Sequence, residues 1–374
     1  MAGLYIHIPF CASRCIYCDF YSTTGRNRSH FIERLLEEAQ KAKESNRLKL
    51  PSYSFQTVYI GGGTPSQLQP QELSQLVDGL TNIFDLTDVN EFTLEVNPED
   101  ITPEYVNHLP SSISRVSMGV QSFVDNELHI LRRRHNAQQP KKAIQLLKDR
   151  GIQNISIDLM YGLPMQTLES FDYSISQALS LNIQHISAYN LSVEQGTPLD
   201  KLIKSKGISI GDDDLCNRMN LLLRNKLSKS GFVQYEISNY SLPDYESKHN
   251  SSYWDGTPYL GLGPGAHSYD GNNRRWWNKP NLTEYLAGNF TQGEELLNEH
   301  DLYNEMIMLG LRTRKGVDIT LLQHKHPSLY NRVFSPNIEK INPEYIIIKD
   351  GKLIIASSYL HLTDTIISQL FSVQ

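Results

Sequence analysis

Tyr5-Ile6-His7-Ile8-Pro9-Phe10-Cys11-Ala12-Ser13-Arg14-Cys15-Ile16-Tyr17-Cys18-Asp19-Phe20 holds three of the four cysteines of this 374-residue chain, spaced Cys-x3-Cys-x2-Cys. The apolar run Leu4 to Ile8 reads as a buried strand, so the cysteines fall on the loop leaving its C-terminal end. That is where an α/β barrel gathers its reactive groups. Three thiolates suit three irons of a [4Fe-4S] cluster and leave the fourth iron open to a ligand, much as a catalytic zinc keeps one position for its reactant. Two other readings of the same residues are a zinc site completed by a distant ligand such as His7, and cysteines that are simply packed. Cysteine is sparse elsewhere, which makes this density hard to ascribe to packing.

The chain is long enough for a barrel plus an appendage. Its formal charge of −6 and pI near 6.1 argue against a dedicated nucleic-acid surface, and the run Arg132-Arg133-Arg134 is too short to reverse that. No stretch approaches the roughly 20 apolar residues of a membrane span, and the first ten residues lack the pattern of a secretory signal. A reducing, cytoplasmic setting in which thiolates serve a metal is the expectation. Cys216 lies in the helical-looking segment Asp212 to Lys229 and reads as a small core residue.

Beyond the cysteine loop, Ser29 to Lys43 has helical spacing, Phe55 to Ile60 reads as a strand running into Gly61-Gly62-Gly63-Thr64-Pro65, and Gln69 to Phe84 reads as a helix. Strands are expected at Glu91 to Val96, Ser114 to Val120, Ile155 to Met160 and His185 to Leu191, with helical patterns between them. Six β-then-α units predict an α/β fold: a parallel sheet curled into a partial (β/α)6 barrel, its site over the C-terminal ends of the strands. This barrel is expected over residues 1–200. Residues 201–280 form an extension, with a possible strand at Phe232 to Ile237 and a Gly-, Asn- and aromatic-rich stretch from Lys248 to Asn278. From about Asn281 to residue 374 a small α+β domain is expected, with a hairpin at Tyr345 to Leu353 turning on Asp350-Gly351.

The cysteine spacing on the first strand-loop resembles the radical S-adenosylmethionine (SAM) superfamily. Tyr-Ile-His-Ile-Pro-Phe-Cys and Tyr-Cys-Asp-Phe resemble the branch that contains the oxygen-independent coproporphyrinogen III oxidases and the HemW haem chaperones. The resemblance implies a cluster on Cys11, Cys15 and Cys18, with SAM chelating the open iron and an electron donor reducing the cluster. It also implies a winged-helix-like C-terminal domain. The strand ends carry groups suited to SAM: glycines that let backbone approach a ligand, the carboxylates of Glu95 and Asp158, the amide of Gln121, and the guanidinium fork of Arg133 for a carboxylate. Each alone could cap a helix or satisfy a loop. The resemblance carries over Tyr5, Tyr17, Gly62, Gly63, Thr64, Glu95, Gln121, Arg133 and Asp158 as SAM contacts.

All three tryptophans fall between positions 254 and 277. Aromatics beside arginines and a histidine suit a flat macrocycle with propionates, although a packed loop region would look the same. His249-Asn250-x-x-Tyr253-Trp254 resembles the HemW signature for which haem binding is proposed, which makes His249 the preferred haem ligand and His267 the reserve. Two departures set the chain apart from the oxidase pattern: Phe20 stands where that pattern has a further cysteine, and only ten residues precede Cys11, where the oxidase has an arm. The reading is therefore a cluster- and SAM-containing protein that binds haem and passes it to an acceptor apoprotein, without converting coproporphyrinogen III. The oxidase, and a radical enzyme with another substrate, are the alternatives.

Overall fold

The structure, a computed structural model of the chain, describes residues 2–25, 28–50 and 54–373. The parallel strands are β1 (Gly3–Ile8), β2 (Thr57–Gly62), β3 (Glu91–Val96), β4 (Arg115–Gln121), β5 (Asn154–Tyr161) and β6 (His185–Asn190). They pair in chain order, each beside the next. Along each strand the side chains alternate between two faces. Leu4, Ile6, Val58, Ile60, Leu94, Val116, Ile155 and Ile157 point outward into one large core. There they meet residues of the covering helices, among them Leu35, Leu76, Leu147 and Phe171. The inward face is polar: Tyr5, His7, Tyr59, Thr93, Glu95, Arg115, Ser117, Ser156, Asp158, His185 and Ser187 share it through the strand registers. A curled sheet with an apolar outside and a polar lumen is built to hold a ligand rather than to pack its interior.

The extension differs from its sequence reading. The short strands β7 (Val233–Gln234) and β8 (Asn239–Ser241) form a hairpin, with β8 antiparallel to β6. The Gly-rich stretch is not loop alone. It contains the helix Lys248–Trp254, then β9 (Tyr259–Leu262), β10 (His267–Tyr269) and β11 (Arg274–Asn278), followed by β12 (Thr291–Leu296). β9 lies parallel to β1 on its free edge, and β10 to β12 continue the sheet antiparallel. Gly261 and Gly263 permit this: a Cβ on Gly261 would sit 2.1 Å from the His267 carbonyl oxygen, and one on Gly263 2.4 Å from that of His7. Gly263 also has a φ of +101°.

Tyr285 is fully buried in the large core, and β12 still belongs to the main sheet, so the change of core comes well after Asn281. A separate core built on Tyr303, Ile307, Leu311, Leu322, Phe334, Leu353 and Ile366 follows. It joins the helix Glu299–Leu311, β13 (Val317–Asp318), the helix Ile319–Lys325 and the hairpin of β14 (Ile346–Lys349) and β15 (Lys352–Ile355). Helix, strand, helix and hairpin in this order give the expected winged-helix-like arrangement. Asp350 and Gly351 both have positive φ at the hairpin turn, as its two-residue loop requires.

Candidate functional site

The cysteine loop is held at its base and its middle. At the base, Cys11 N donates to Thr23 O at 2.9 Å and Thr23 N to Pro9 O at 2.7 Å. In the middle, Ile16 is 1% exposed among Leu131, Met160, Leu163, Leu191 and Leu199. Its carbonyl accepts from Leu199 N at 2.9 Å. An apolar anchor between two ligand positions leaves Cys15 and Tyr17 little freedom to swing away. Ile16 was not anticipated from the sequence, although an isoleucine amid polar loop residues was the available signal.

All three thiols of the loop are free and half-buried, and burial pushes those of Cys11 and Cys18 up. Thr64 Oγ1 donates to Cys11 Sγ at 3.4 Å and Arg133 Nη1 to Cys15 Sγ at 3.3 Å. The Thr64 contact favours the Cys11 thiolate. Gly62 and Gly63 bring β2 against the loop: Gly62 has a φ of +114° and a Cβ there would lie 2.7 Å from the His7 ring, while one on Gly63 would lie 2.8 Å from the Pro9 backbone. His7 itself is engaged through both nitrogens, with Tyr5 Oη at 3.1 Å and Tyr21 O at 2.9 Å. Among the described residues no group of His, Cys, Asp and Glu closes around a single ion. With both His7 nitrogens engaged, the three thiols suit a group that spreads them over several irons better than zinc with His7.

These thiols open into a cavity of about 640 Å³ lined by all three cysteines and by Tyr5, Tyr17, Gly62, Gly63, Thr64, Glu95, Gln121, Arg133 and Asp158. Five strands, β1 to β5, and the loops that follow them thus bring together every expected SAM contact. Gln121 reaches the cavity through a break in register between Gly119 and Gln121, where its φ is +67°. Such a bulge re-aims one side chain at the cost of a strained backbone. Arg133 Nη2 donates to Asn97 Oδ1 at 2.7 Å and to Gly119 O at 2.6 Å, and Asn97 Nδ2 donates to Thr64 Oγ1 at 3.3 Å. Asn97 was missed in the sequence although it stands two residues beyond Glu95. It ties the arginine to the threonine that faces Cys11.

Two half-buried carboxylates face the cavity. Glu95 accepts from Tyr59 Oη at 2.6 Å and Gly62 N at 3.0 Å, yet burial pushes its carboxyl up to about 7. Burial likewise pushes Asp158 up to about 6, against a hydrogen bond from Ser187. Their charge is conditional, and a ligand that supplies hydroxyl or ammonium donors favours the ionised form.

His249 is elsewhere. It is fully buried beneath the lumen beside Gly3, at the opposite end of β1 from the cysteines. Its Nδ1 is paired with Thr57 Oγ1 at 2.8 Å and its Nε2 with Tyr253 Oη at 2.9 Å, and its ring stacks on Tyr59. Burial pushes it down to about 3, so it is neutral, but neither nitrogen is free for iron. The motif forms a packed, bonded helix start, with His249 N donating to Glu91 at 2.9 Å, so the preferred haem ligand of the sequence lies fully buried and paired in this structure. His267 differs from it. Its ring is exposed and stacks on Trp277 at 5.8 Å. Cys216 is buried on the helix Asp213–Lys229, packed in the large core. Phe20 is 73% exposed on the cavity rim.

Comparison with known proteins agrees with this geometry. The radical SAM superfamily model matches residues 5–178, and the HemN C-terminal domain model matches residues 297–365. The chain is 34% identical over 366 residues to the heme chaperone HemW of Lactococcus lactis, covering 96% of this chain and 93% of that protein. It is 36% identical to the HemW of Mycobacterium tuberculosis, over 86% of this chain and 84% of the relative. The solved structure of the coproporphyrinogen III oxidase HemN from Escherichia coli superposes with a TM-score of 0.83 over 99% of this chain and 90% of its own, at 22% identity, a likeness of fold. With the cysteine loop, the curled parallel sheet and the winged C-terminal domain in place, these similarities show that the chain belongs to the HemW family of the radical SAM superfamily.

Proposed function

We propose that this protein is a radical-SAM-type haem chaperone: it binds a [4Fe-4S] cluster, SAM and haem, and passes haem to an acceptor apoprotein. The observation that carries the reading is the convergence of three free thiols and a ring of SAM-suited groups on one cavity. Cys11, Cys15 and Cys18 hold the cluster. When bound and reduced by an electron donor, the cluster supplies the electron that cleaves SAM. The chain's own residues do the rest. Arg133 presents its fork toward a ligand carboxylate while Asn97 and Gly119 hold it in place. Glu95 and Asp158 accept from ribose hydroxyls or an ammonium group, and the Gly62-Gly63 backbone allows close approach. The anchored loop keeps the three sulfurs on the cavity wall before any iron arrives.

The haem role is supported by the names of the HemW relatives and by the Trp-rich extension. Within that extension His267 is the better-placed ligand, because its ring is exposed beside Trp277. The oxidase reading finds less support: Phe20 adds exposed apolar bulk to the rim beside the last cysteine.

One anaerobic experiment tests the reading. The reconstituted protein is assayed in a single preparation for haem binding and for decarboxylation of coproporphyrinogen III with SAM and reductant. Haem binding without multiple turnovers is expected. Sustained formation of protoporphyrinogen IX would replace the chaperone by the oxidase. Haem titration of His267→Ala and His249→Ala then assigns the ligand, with the larger loss expected for His267→Ala.

A further inference from the structure

The main sheet is closed off along one edge and bare along the other. β7, at one edge, is two residues long, and the C-terminal domain covers the chain just past it: Tyr235 O accepts from Arg314 N at 3.1 Å and Glu236 bridges to Thr313. β12 forms the opposite edge and runs for six residues. Leu297 N donates to Asn273 O at 2.8 Å, and bonded and unbonded residues alternate along an antiparallel pair, so Glu295 and Gly293 bond to β11. The N–H and C=O groups of Glu294 and Leu296 therefore point away from β11, and they find no partner among the described residues. Leu296 is 71% exposed. Such an edge is a template for a further strand.

The two faces of this edge differ. The register sets Glu295 on the same face as Arg275, which pairs with Glu305 at 2.5 Å, so the helix Glu299–Leu311 lies along that face. Between helix and strand runs a groove of about 280 Å³ lined by Glu295, Leu297, Asp301, Glu305, Met308 and Phe371. Arg275 answers Glu305 alone. Asp301 caps its own helix, and Glu295 has no hydrogen bond or ion pair among the described residues. On the other face Leu296 lies beside Glu294, whose charge is taken up by Arg274. A strand added here thus meets negative charge on one face and an apolar side chain on the other. Its complement is an extended segment with Lys or Arg at every second position and apolar residues between them.

A second copy of the chain does not supply that complement. Self-pairing registers that stay within β12 and use both free residues set Glu294 against Glu294 or Glu295 against Glu295, and like charges directly opposite are destabilising. The location also matters. His267, Trp277 and Gly293 form one row across β10, β11 and β12, on the face that carries Glu295. At a strand spacing of about 4.8 Å, an added strand lies about 14 Å from β10.

We propose that the free edge of β12 is a docking site for a partner polypeptide, which adds an extended, alternately basic and apolar segment as a further strand of the sheet. That this partner is the haem acceptor rests on the chaperone reading, and docking then brings it alongside the His267–Trp277 pair. Main-chain hydrogen bonds to Glu294 and Leu296 hold the segment, while Glu295, Asp301 and Leu296 select its sequence.

The probe is a short, end-blocked peptide of alternating lysine and valine, with a glutamate–valine peptide as its counterpart. Each is titrated into the full-length protein without haem and followed by fluorescence anisotropy, and residue-resolved hydrogen exchange is read on the same mixtures. The parent is expected to bind the lysine–valine peptide and not the other, with exchange at the Glu294 and Leu296 amides slowed about tenfold or more. Leu296→Pro removes a free donor without touching the bonds to β11 and is expected to weaken binding about tenfold. Glu295→Lys is expected to weaken it about fivefold, and less as salt is raised. No binding by the parent, equal binding of the two peptides, parent-like binding by Leu296→Pro, or protection confined to other strands would overturn the proposal. So would a dimer in sedimentation that Leu296→Pro abolishes, because the edge would then serve a second copy. If Leu296→Pro does not fold, Glu295→Lys and the parent's exchange pattern still decide. A parent protein that binds no haem refutes the chaperone reading and the acceptor as partner, while the haem-free titrations still decide whether β12 is a docking edge.

Discussion

The two ends of the curled sheet use polar residues in opposite ways. At the N-terminal end, His185 and His249 are fully buried and bonded through both nitrogens, His185 to Ser156 Oγ at 2.7 Å and Tyr235 Oη at 2.8 Å. At the C-terminal end the thiols are half-buried and free, Gln121 and Arg132 hold left-handed backbones, and burial raises the proton affinity of two carboxyl groups. Saturated groups stabilise, whereas undersatisfied and strained ones are left for a ligand. A histidine signature points to a ligand only where its nitrogens have spare capacity.

The contrast is broken most directly at the cysteines. Cys15→Ala is expected to lose the cluster, read as the iron and sulfide content and visible absorption of the anaerobically reconstituted protein. Cys216→Ala is expected to keep it; full cluster in the first, or none in the second, would remove the assignment. At the other end, His185→Leu leaves Ser156 and Tyr235 without their partner and is expected to cost about 2–4 kcal/mol in denaturant unfolding. SAM affinity of the folded fraction should be unchanged. A stable His185→Leu protein with lost SAM binding would reverse the roles of the two ends.

Glu95 sharpens the comparison through pH. Its carboxyl is raised from the ordinary value of 4.5 to about 7. Its contribution to stability is therefore complete below about pH 4.5 and is lost as pH rises through about 7. Glu95→Gln removes that loss, so at pH 8 the unliganded variant is expected to be more stable than the parent by up to about 3 kcal/mol. Near pH 6 the two should differ less. SAM binding should weaken in the same variant, and a parent-like unfolding profile across pH 5–8 would show that Glu95 is not strained. The smallest effect is expected at Arg132, exposed at the cavity rim with a φ of 57°. Arg132→Gly relieves that backbone and should stabilise the protein by about 1 kcal/mol. Destabilisation instead would mean that the arginine side chain carries the local structure.

Much of this was legible beforehand because it is local. Alternating apolar residues in Leu4 to Ile8 or Ile155 to Leu159 place one face of each strand on the core whatever the rest of the chain does. The repeated β-then-α order makes the sheet parallel, and the strand before Cys11 puts the cysteine loop at its C-terminal end. Asp350-Gly351 requires a tight turn for the same local reason.

What tertiary structure alone decided depends on residues far apart in sequence. β9 is too short and glycine-rich to read as a strand, and it becomes one because β1, some 250 residues earlier, offers a free parallel edge. The bulge that aims Gln121 is a property of the β4–β5 pairing, not of either strand. His249 looks unpaired in its motif, but Thr57, 192 residues away, takes one nitrogen and Tyr253 the other. Arg115 likewise looks like an ordinary strand-start cation until the curled sheet encloses it. Periodicity and turn chemistry are set by near neighbours, whereas burial and the saturation of a polar atom are set by whatever the fold brings alongside it.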